Sequence, residues 1–285
     1  MTPTEIKAVL SQLGGYANKR LGQHFLIDNN VLKTIVDTAD IKSGDRVLEV
    51  GPGLGVLTRE LLDRGAEVVA IEKDHRFVDY LNLSLIRANK RMVQGDAATM
   101  HWHDLVEEAP WKFVSNLPYS ITSLALRKAL WAPRPPDKVV VLVQREVAER
   151  AIDVSRKSVK SIKSVKSIKS VKSGKTSLLS LMVALSSSSA RIVKRVARGA
   201  FFPAPKVESA ILEIIPMTWQ EREKRWGINP EKIMEVAKKG FAHPRKLLRS
   251  NLGLLATHYS LLTSPLARAE DLSPDDWARL AKTIV

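Results

Sequence analysis

Four consecutive residues, Asn116-Leu117-Pro118-Tyr119, have the types needed to act on a planar amino group attached to an aromatic ring. Such a nitrogen is a poor nucleophile because its lone pair is delocalised into the ring. The Asn116 side-chain carbonyl, together with the backbone carbonyl of Leu117 or Pro118, can each accept one of its N–H bonds. That draws the nitrogen toward tetrahedral geometry and frees the lone pair for attack. Tyr119 can stack on the ring, a contact worth about 1–3 kcal/mol. No strong general base is required beforehand, since the ammonium formed on attack can lose its proton to water. Catalysis of this kind is mostly positioning. Alone, the tetrapeptide would equally serve as a proline turn beside a buried tyrosine.

The elements that must position it alternate. Arg46–Val50 reads as a buried strand running into Gly51-Pro52-Gly53-Leu54-Gly55, followed by a helical pattern through Leu57, Leu61 and Leu62 that Gly65 closes. Val68–Ile71 is the next strand and ends at Glu72; a helix is expected over about 77–88. Met92–Val93 leads into Gly95-Asp96-Ala97, Phe113–Val114 precedes Asn116, and Val139–Val143 is a continuous apolar run. This alternation predicts a parallel sheet covered on both faces, with its site at the carboxyl edge. A helix is also expected over 3–13, and another after Asn29 and Asn30. Leu178–Leu185, Arg191–Val196 and Val207–Ile215 are read as strands. Helices are read over 230–241, 245–256 and 274–284.

A dinucleotide fingerprint would need glycine at 56, where Val56 stands. The Gly51/Gly53/Gly55 pattern with an acid one strand later resembles instead the S-adenosylmethionine loop of class I methyltransferases. Glu72 is then placed to accept hydrogen bonds from both ribose hydroxyls, and Asp96 from the adenine amino group. The lone pair exposed by Asn116 would be aimed at a methyl sulfonium.

The chain has 285 residues with 45 Lys+Arg against 30 Asp+Glu, a net charge of +15. This balance favours a polyanionic partner, nucleic acid before an acidic membrane surface. Arg156 to Lys175 carries eight basic residues and no acid in a Lys-Ser-Val-Lys-Ser-Ile repeat. The remainder still holds 37 basic residues against 30 acidic. Period three fits neither helix nor strand, so a mobile basic loop is expected, either an electrostatic arm for RNA phosphates or a passive low-complexity insert. A second basic group, Arg191, Lys194, Arg195 and Arg198, precedes Phe201 and also suggests RNA contact, with Lys206 beyond it. There is no cysteine, which removes disulfides, thiolate metal sites and thiol nucleophiles. His24 has no second ligand at metal spacing, and no metal is expected. No apolar stretch reaches the ~18 residues of a membrane helix, and no secretory signal is evident. A cytoplasmic protein is expected.

The residues that identify a relative are Leu21–Leu26 (LGQHFL), Glu49–Gly55, Gly95–Ala97, Asn116–Ser120 (NLPYS), Ala200–Ala210 (AFFPAPKVESA) and Phe241–Leu252 (FAHPRKLLRSNL). In this order and spacing they resemble the ribosomal RNA adenine N6,N6-dimethyltransferase family. The resemblance implies a Rossmann-like class I methyltransferase domain with a small all-helical C-terminal domain. The expected boundaries are an N-terminal extension at 1–20, the catalytic domain at 21–216 with a basic insert at 155–175, and the helical domain at 217–285. It implies cofactor contacts at His24, Leu26, Gly51, Gly53, Gly55, Glu72, Asp96, Ala97 and Asn116. The target adenine would be held by Asn116, Leu117, Pro118 and Tyr119, with Phe201 stacking opposite Tyr119; by itself Phe201 reads as a core aromatic beside a proline. The implied activity is dimethylation of adjacent adenines near the 3′ end of small-subunit rRNA, in a pre-ribosomal particle, by a monomer. The rival expectations are a large-subunit rRNA methyltransferase of the antibiotic-resistance type and an assembly factor that keeps the fold without essential catalysis. A DNA adenine methyltransferase would carry Asp-Pro-Pro-Tyr in place of Asn-Leu-Pro-Tyr.

Overall fold

The computed structural model describes residues 1–15, 23–85, 88–106, 110–158, 175–253 and 266–284. Most of the Lys-Ser repeat, Leu21 and Gly22, and the end of the helix expected over 245–256 lie outside the described residues. Two compact units are formed, one from 1–148 with 191–215 and one from 149–190 with 216–285.

In the first unit, strands β2 (Arg46–Val50), β3 (Glu67–Glu72), β4 (Lys90–Gln94), β5 (Trp111–Asn116) and β6 (Lys138–Gln144) run parallel. The antiparallel β9 (Ser209–Pro216) joins β6, and β7 (Ser187–Val196) forms the far edge, giving the order β4-β3-β2-β5-β6-β9-β7. The five residues Val139–Val143 of β6 are fully buried, as a parallel strand covered on both faces requires. Helix α2 (Asn29–Ala39) leads into β2; α3 (Val56–Asp63), α4 (His75–Ser84), the short α5 (His103–Val106) and α6 (Thr122–Leu130) link the parallel strands in turn, and α7 (Arg145–Ser158) follows β6. Asp28 caps α2 and Asp74 caps α4 through side-chain bonds to first-turn amides. The short pair β1 (Phe25–Leu26) and β8 (Phe201–Phe202) is antiparallel, with Leu26 opposite Phe201.

Helix α1 (Pro3–Gln12) opens with a Thr2–Glu5 capping box. It buries Ile6 and Leu10 against Phe25, Leu54 and Phe77. A helix was expected there; its packing against the glycine loop was not.

The second unit is helical in its described C-terminal part. Leu178–Leu185, expected as a strand, is helix α8 (Leu178–Ser186), started by a Ser177–Ser180 capping box. Its residues from Ser180 to Ser186 are all buried. A helix buried all round shows no amphipathic period, so an apolar run of this length mimics a strand. The low content of β-branched residues was the available clue. Helix α8 packs with α9 (Trp219–Trp226), α10 (Pro230–Gly240) and α12 (Pro274–Ile284). Trp226 Nε1 donates to the Leu185 carbonyl at 3.1 Å. Of the helix expected over 245–256, the described residues hold α11 (Leu248–Leu252), which starts three residues later with Leu247 at its N-cap. Asn251 ties the preceding turn through the carbonyls of Gly240 and His243. Among the described residues no helix is long and apolar enough to cross a membrane.

Candidate cofactor and target-base site

A cavity of about 260 Å³ opens at the carboxyl ends of β2, β3, β4 and β5. Its lining brings together His24, Leu26, Gly51, Gly53, Glu72, Asp96, Ala97, Asn116, Leu117, Pro118 and Tyr119. These residues come from four βα turns and the β1 segment, a convergence that the parallel crossovers impose.

The glycine loop is shaped by close approaches. Gly51 has φ +72°, and a Cβ there would meet Pro118 Cγ at 3.0 Å. The loop and the Leu117-Pro118 turn therefore pack backbone against ring. Gly55 does not line the cavity. Its φ of +76° starts α3, and a Cβ would collide with Leu81 of α4. Its role is to let α3 approach α4, which spacing alone did not distinguish from a ligand contact.

The acids differ in setting. Glu72 is buried and accepts from the amides of Gly53 (3.1 Å), Lys73 (2.8 Å) and Asp74 (2.9 Å). Burial pushes its carboxyl up despite these three bonds. Asp96 accepts from Lys73 Nζ and from the Ala98 amide, at 2.8 and 2.9 Å. The Lys73 ammonium and then that amide hold its carboxyl below the usual range. Glu49, on the cavity lining yet 1% exposed, accepts from Thr58 Oγ1 at 2.7 Å. Burial raises its pKa to about 8, so at neutral pH it is largely a carboxylic acid. Sequence reading placed Glu49 in the motif but gave it no role, because its burial depends on the sheet.

The Asn116 and Tyr119 side chains are oriented by residues distant in sequence. Asn116 Nδ2 donates to the His24 carbonyl at 3.3 Å. No described residue donates to Asn116 Oδ1, which leaves it as the available acceptor. The Pro118 carbonyl accepts from the Ile121 amide at 3.2 Å, while no described residue donates to the Leu117 carbonyl. Of the two backbone acceptors that the sequence left open, Leu117 is thus the uncommitted one. Tyr119 Oη lies 2.7 Å from Ser209 Oγ, and its ring stacks with His24 at 5.9 Å between centroids. His24 Nδ1 bonds the Pro203 carbonyl at 2.7 Å.

Phe201 is not brought to the cavity. It is 3% exposed and packs with Leu26, Val31 and Ile211 in the main core. The basic residues are dispersed as well. Strand alternation puts Arg191 and Arg195 on one face of β7 and Lys194 on the other. Arg191 is ion-paired with Glu213. Arg195, Arg198 and Lys206 are exposed.

The lining fits S-adenosylmethionine rather than a phosphorylated nucleotide. It offers two carboxylates for hydroxyls and amines beside apolar walls at Leu57, Ile71 and Phe25, and its lysine, Lys73, is already paired with Asp96. Among the described residues no group of His, Asp and Glu is placed to hold a metal.

Sheet order, glycine loop and paired acids together define a class I S-adenosylmethionine-dependent methyltransferase. A dimethyladenosine transferase from Plasmodium falciparum shares the fold, with a TM-score of 0.67 and 24% identity over 90% of this chain and 96% of that one. The 23S rRNA methyltransferase ErmE superposes with a TM-score of 0.65 and 26% identity, over 90% of this chain and 98% of that one. The chain belongs to the ribosomal RNA adenine dimethylase family, whose model matches residues 15–284. Relatives named ribosomal RNA small subunit methyltransferase A include those of Dehalococcoides mccartyi and Acaryochloris marina. The first is 36% identical over 98% of this chain and 93% of its own length, and the second 35% over 93% and 96%. The protein is accordingly an S-adenosylmethionine-dependent rRNA adenine methyltransferase.

Proposed function

We propose that the protein dimethylates N6 of adjacent adenines near the 3′ end of small-subunit rRNA, acting as a cytoplasmic monomer on a pre-ribosomal particle. The small-subunit choice is supported by the names of relatives at 32–36% identity. The observation that carries the chemistry is the Asn116 amide, whose nitrogen is committed to the His24 carbonyl while its oxygen stays available on the cavity wall. Asn116 Oδ1 and the Leu117 carbonyl each accept one N–H of the target amino group, so the nitrogen lone pair localises. S-adenosylmethionine, when bound, supplies the methyl group. Glu72 binds its ribose hydroxyls, Asp96 its adenine amino group, and His24, Leu26, Gly51, Gly53 and Ala97 complete the walls around it. Gly55 serves the site by allowing α3 to close on α4.

Tyr119 stacks on the extruded adenine, whose unstacking costs a few kcal/mol. For Phe201 the proposed stack forms on base entry, the ring leaving its core packing. Phe201→Leu keeps the packing and removes the ring, so a loss there equal to that of Phe201→Ala supports the stack. After transfer the proton departs to water, and in the second round the one remaining N–H is given to one of these two acceptors. Arg191, Lys194, Arg195, Arg198 and Lys206 contact RNA phosphates. By function, 1–20 is an extension whose helix α1 backs the glycine loop, 21–216 carries catalysis apart from the 155–175 insert, and 217–285 is the helical domain. Residues 149–190 belong to the compact unit of those helices.

Labelled S-adenosylmethionine offered to undermethylated small subunits, large subunits and duplex DNA tests the reading. Label in N6,N6-dimethyladenine of the small subunit alone is expected. Label in large subunits would assign the resistance-type activity, and cofactor binding without label would assign an assembly role.

A further inference from the structure

The Asn-Leu-Pro-Tyr turn supplies the tyrosine ring but nothing that fixes its direction. Tyr119 opens a 3₁₀ turn, Tyr119–Ile121, that has no side-chain cap. Its phenol oxygen lies 2.7 Å from Ser209 Oγ, 90 residues along the chain. Ser209 is fully buried as the first residue of β9, directly opposite Gln144 at the end of β6. The backbone there is anchored. The Arg145 amide donates to the Glu208 carbonyl at 2.9 Å, and the Arg145 guanidinium pairs with the Glu208 carboxylate. On the ring itself sits His24, tethered through Nδ1 to the Pro203 carbonyl.

We propose that Ser209 is a positioning residue for methyl transfer: its hydroxyl holds the Tyr119 ring in stacking orientation before the adenine arrives. The inference rests on the stacking role proposed above for Tyr119. A ring already fixed loses no rotamer freedom when the base docks, so that cost does not fall on binding. A second consequence concerns recognition. With its oxygen committed to Ser209, Tyr119 presents only a ring face, and ring faces accept every base. Discrimination against a base without an exocyclic amino group then falls to Asn116 Oδ1 and the Leu117 carbonyl, which require a donor. Burial keeps the phenol protonated by pushing its pKa up, consistent with a neutral hydrogen bond.

The test is a double-mutant cycle with Ser209→Ala and Tyr119→Phe, read as kcat/KM for undermethylated small subunits. One neutral hydrogen bond corresponds to roughly a three- to tenfold loss. Each single variant is expected to lose that much and the double variant no more, because both remove the same bond. Cofactor affinity should stay within about twofold, and Ser209→Thr should restore most of the rate. Losses that multiply in the double variant, or wild-type kcat/KM for Ser209→Ala, would overturn the proposal. A lowered Tm with additive losses would mark Ser209 as a packing residue only. Failure of the functional reading is separable, since wild-type protein would then label no small-subunit adenine.

Discussion

The cavity wall and the basic edge strand of the same unit are built on opposite plans. In the wall, each side chain with a proposed role in chemistry is held by a particular partner: Asn116 by the His24 carbonyl, Tyr119 by Ser209, Asp96 by Lys73, and Glu72 by three amides. On β7 the arginines and the lysine alternate between faces, and Arg195 is exposed. Activating an amino group needs acceptors fixed before the substrate arrives, whereas attraction to phosphate tolerates mobile charge screened by salt. The proposed chemistry is therefore concentrated and preorganised, while the proposed RNA contacts are spread.

Substitutions separate these plans by the size and kind of their effects. Asn116→Ala removes the side-chain acceptor and should lower the single-turnover rate at least about 10³-fold while cofactor affinity, read by calorimetry, changes little. Tyr119→Ala removes the stacking face as well as the bond to Ser209 and should cost roughly 5- to 150-fold in kcat/KM, more than Tyr119→Phe. Arg195→Ala should weaken particle binding a few-fold and reduce the slope of log affinity against log salt by about one. Arg191→Ala should weaken particle binding only slightly, because Glu213 already occupies its guanidinium.

A smaller effect concerns stability. Glu49 has its pKa raised to about 8 by burial, against 4.5 for an ordinary glutamate. Between those values the folded state binds more proton than the unfolded one, so stability falls as pH rises from about 4.5 to 8 and then levels. Glu49→Gln should flatten that part of the Tm-against-pH curve. An unchanged slope would show that Glu49 ionises in the folded protein.

What could be read in advance follows from how local each signal is. The strand, glycine loop and helix around Gly51 are written in adjacent residues, as is the turn at Asn116. The acids at Glu72 and Asp96 end strands whose apolar runs are visible. By contrast, Ser209 meets Tyr119 across 90 residues and His24 meets Asn116 across 92, and no periodicity encodes such pairs. Helix α8 escaped because full burial erased its amphipathic signature. Phe201 by itself reads as a core aromatic and is one, 3% exposed; its stacking role came from the resemblance, and the pairing with Leu26 that buries it is a tertiary event. The choice of Leu117 over Pro118 needed the Ile121 amide to be seen on the Pro118 carbonyl.

The separation of chemistry from attraction is tested most directly by single-turnover transfer from labelled S-adenosylmethionine to undermethylated small subunits, with particle and salt both varied. Between about 50 and 200 mM salt the half-saturating particle concentration should climb steeply. The rate at saturation should stay within about twofold, with label in N6,N6-dimethyladenine. A saturated rate that falls in step with binding would mean that the basic surface takes part in the chemical step, contradicting the account.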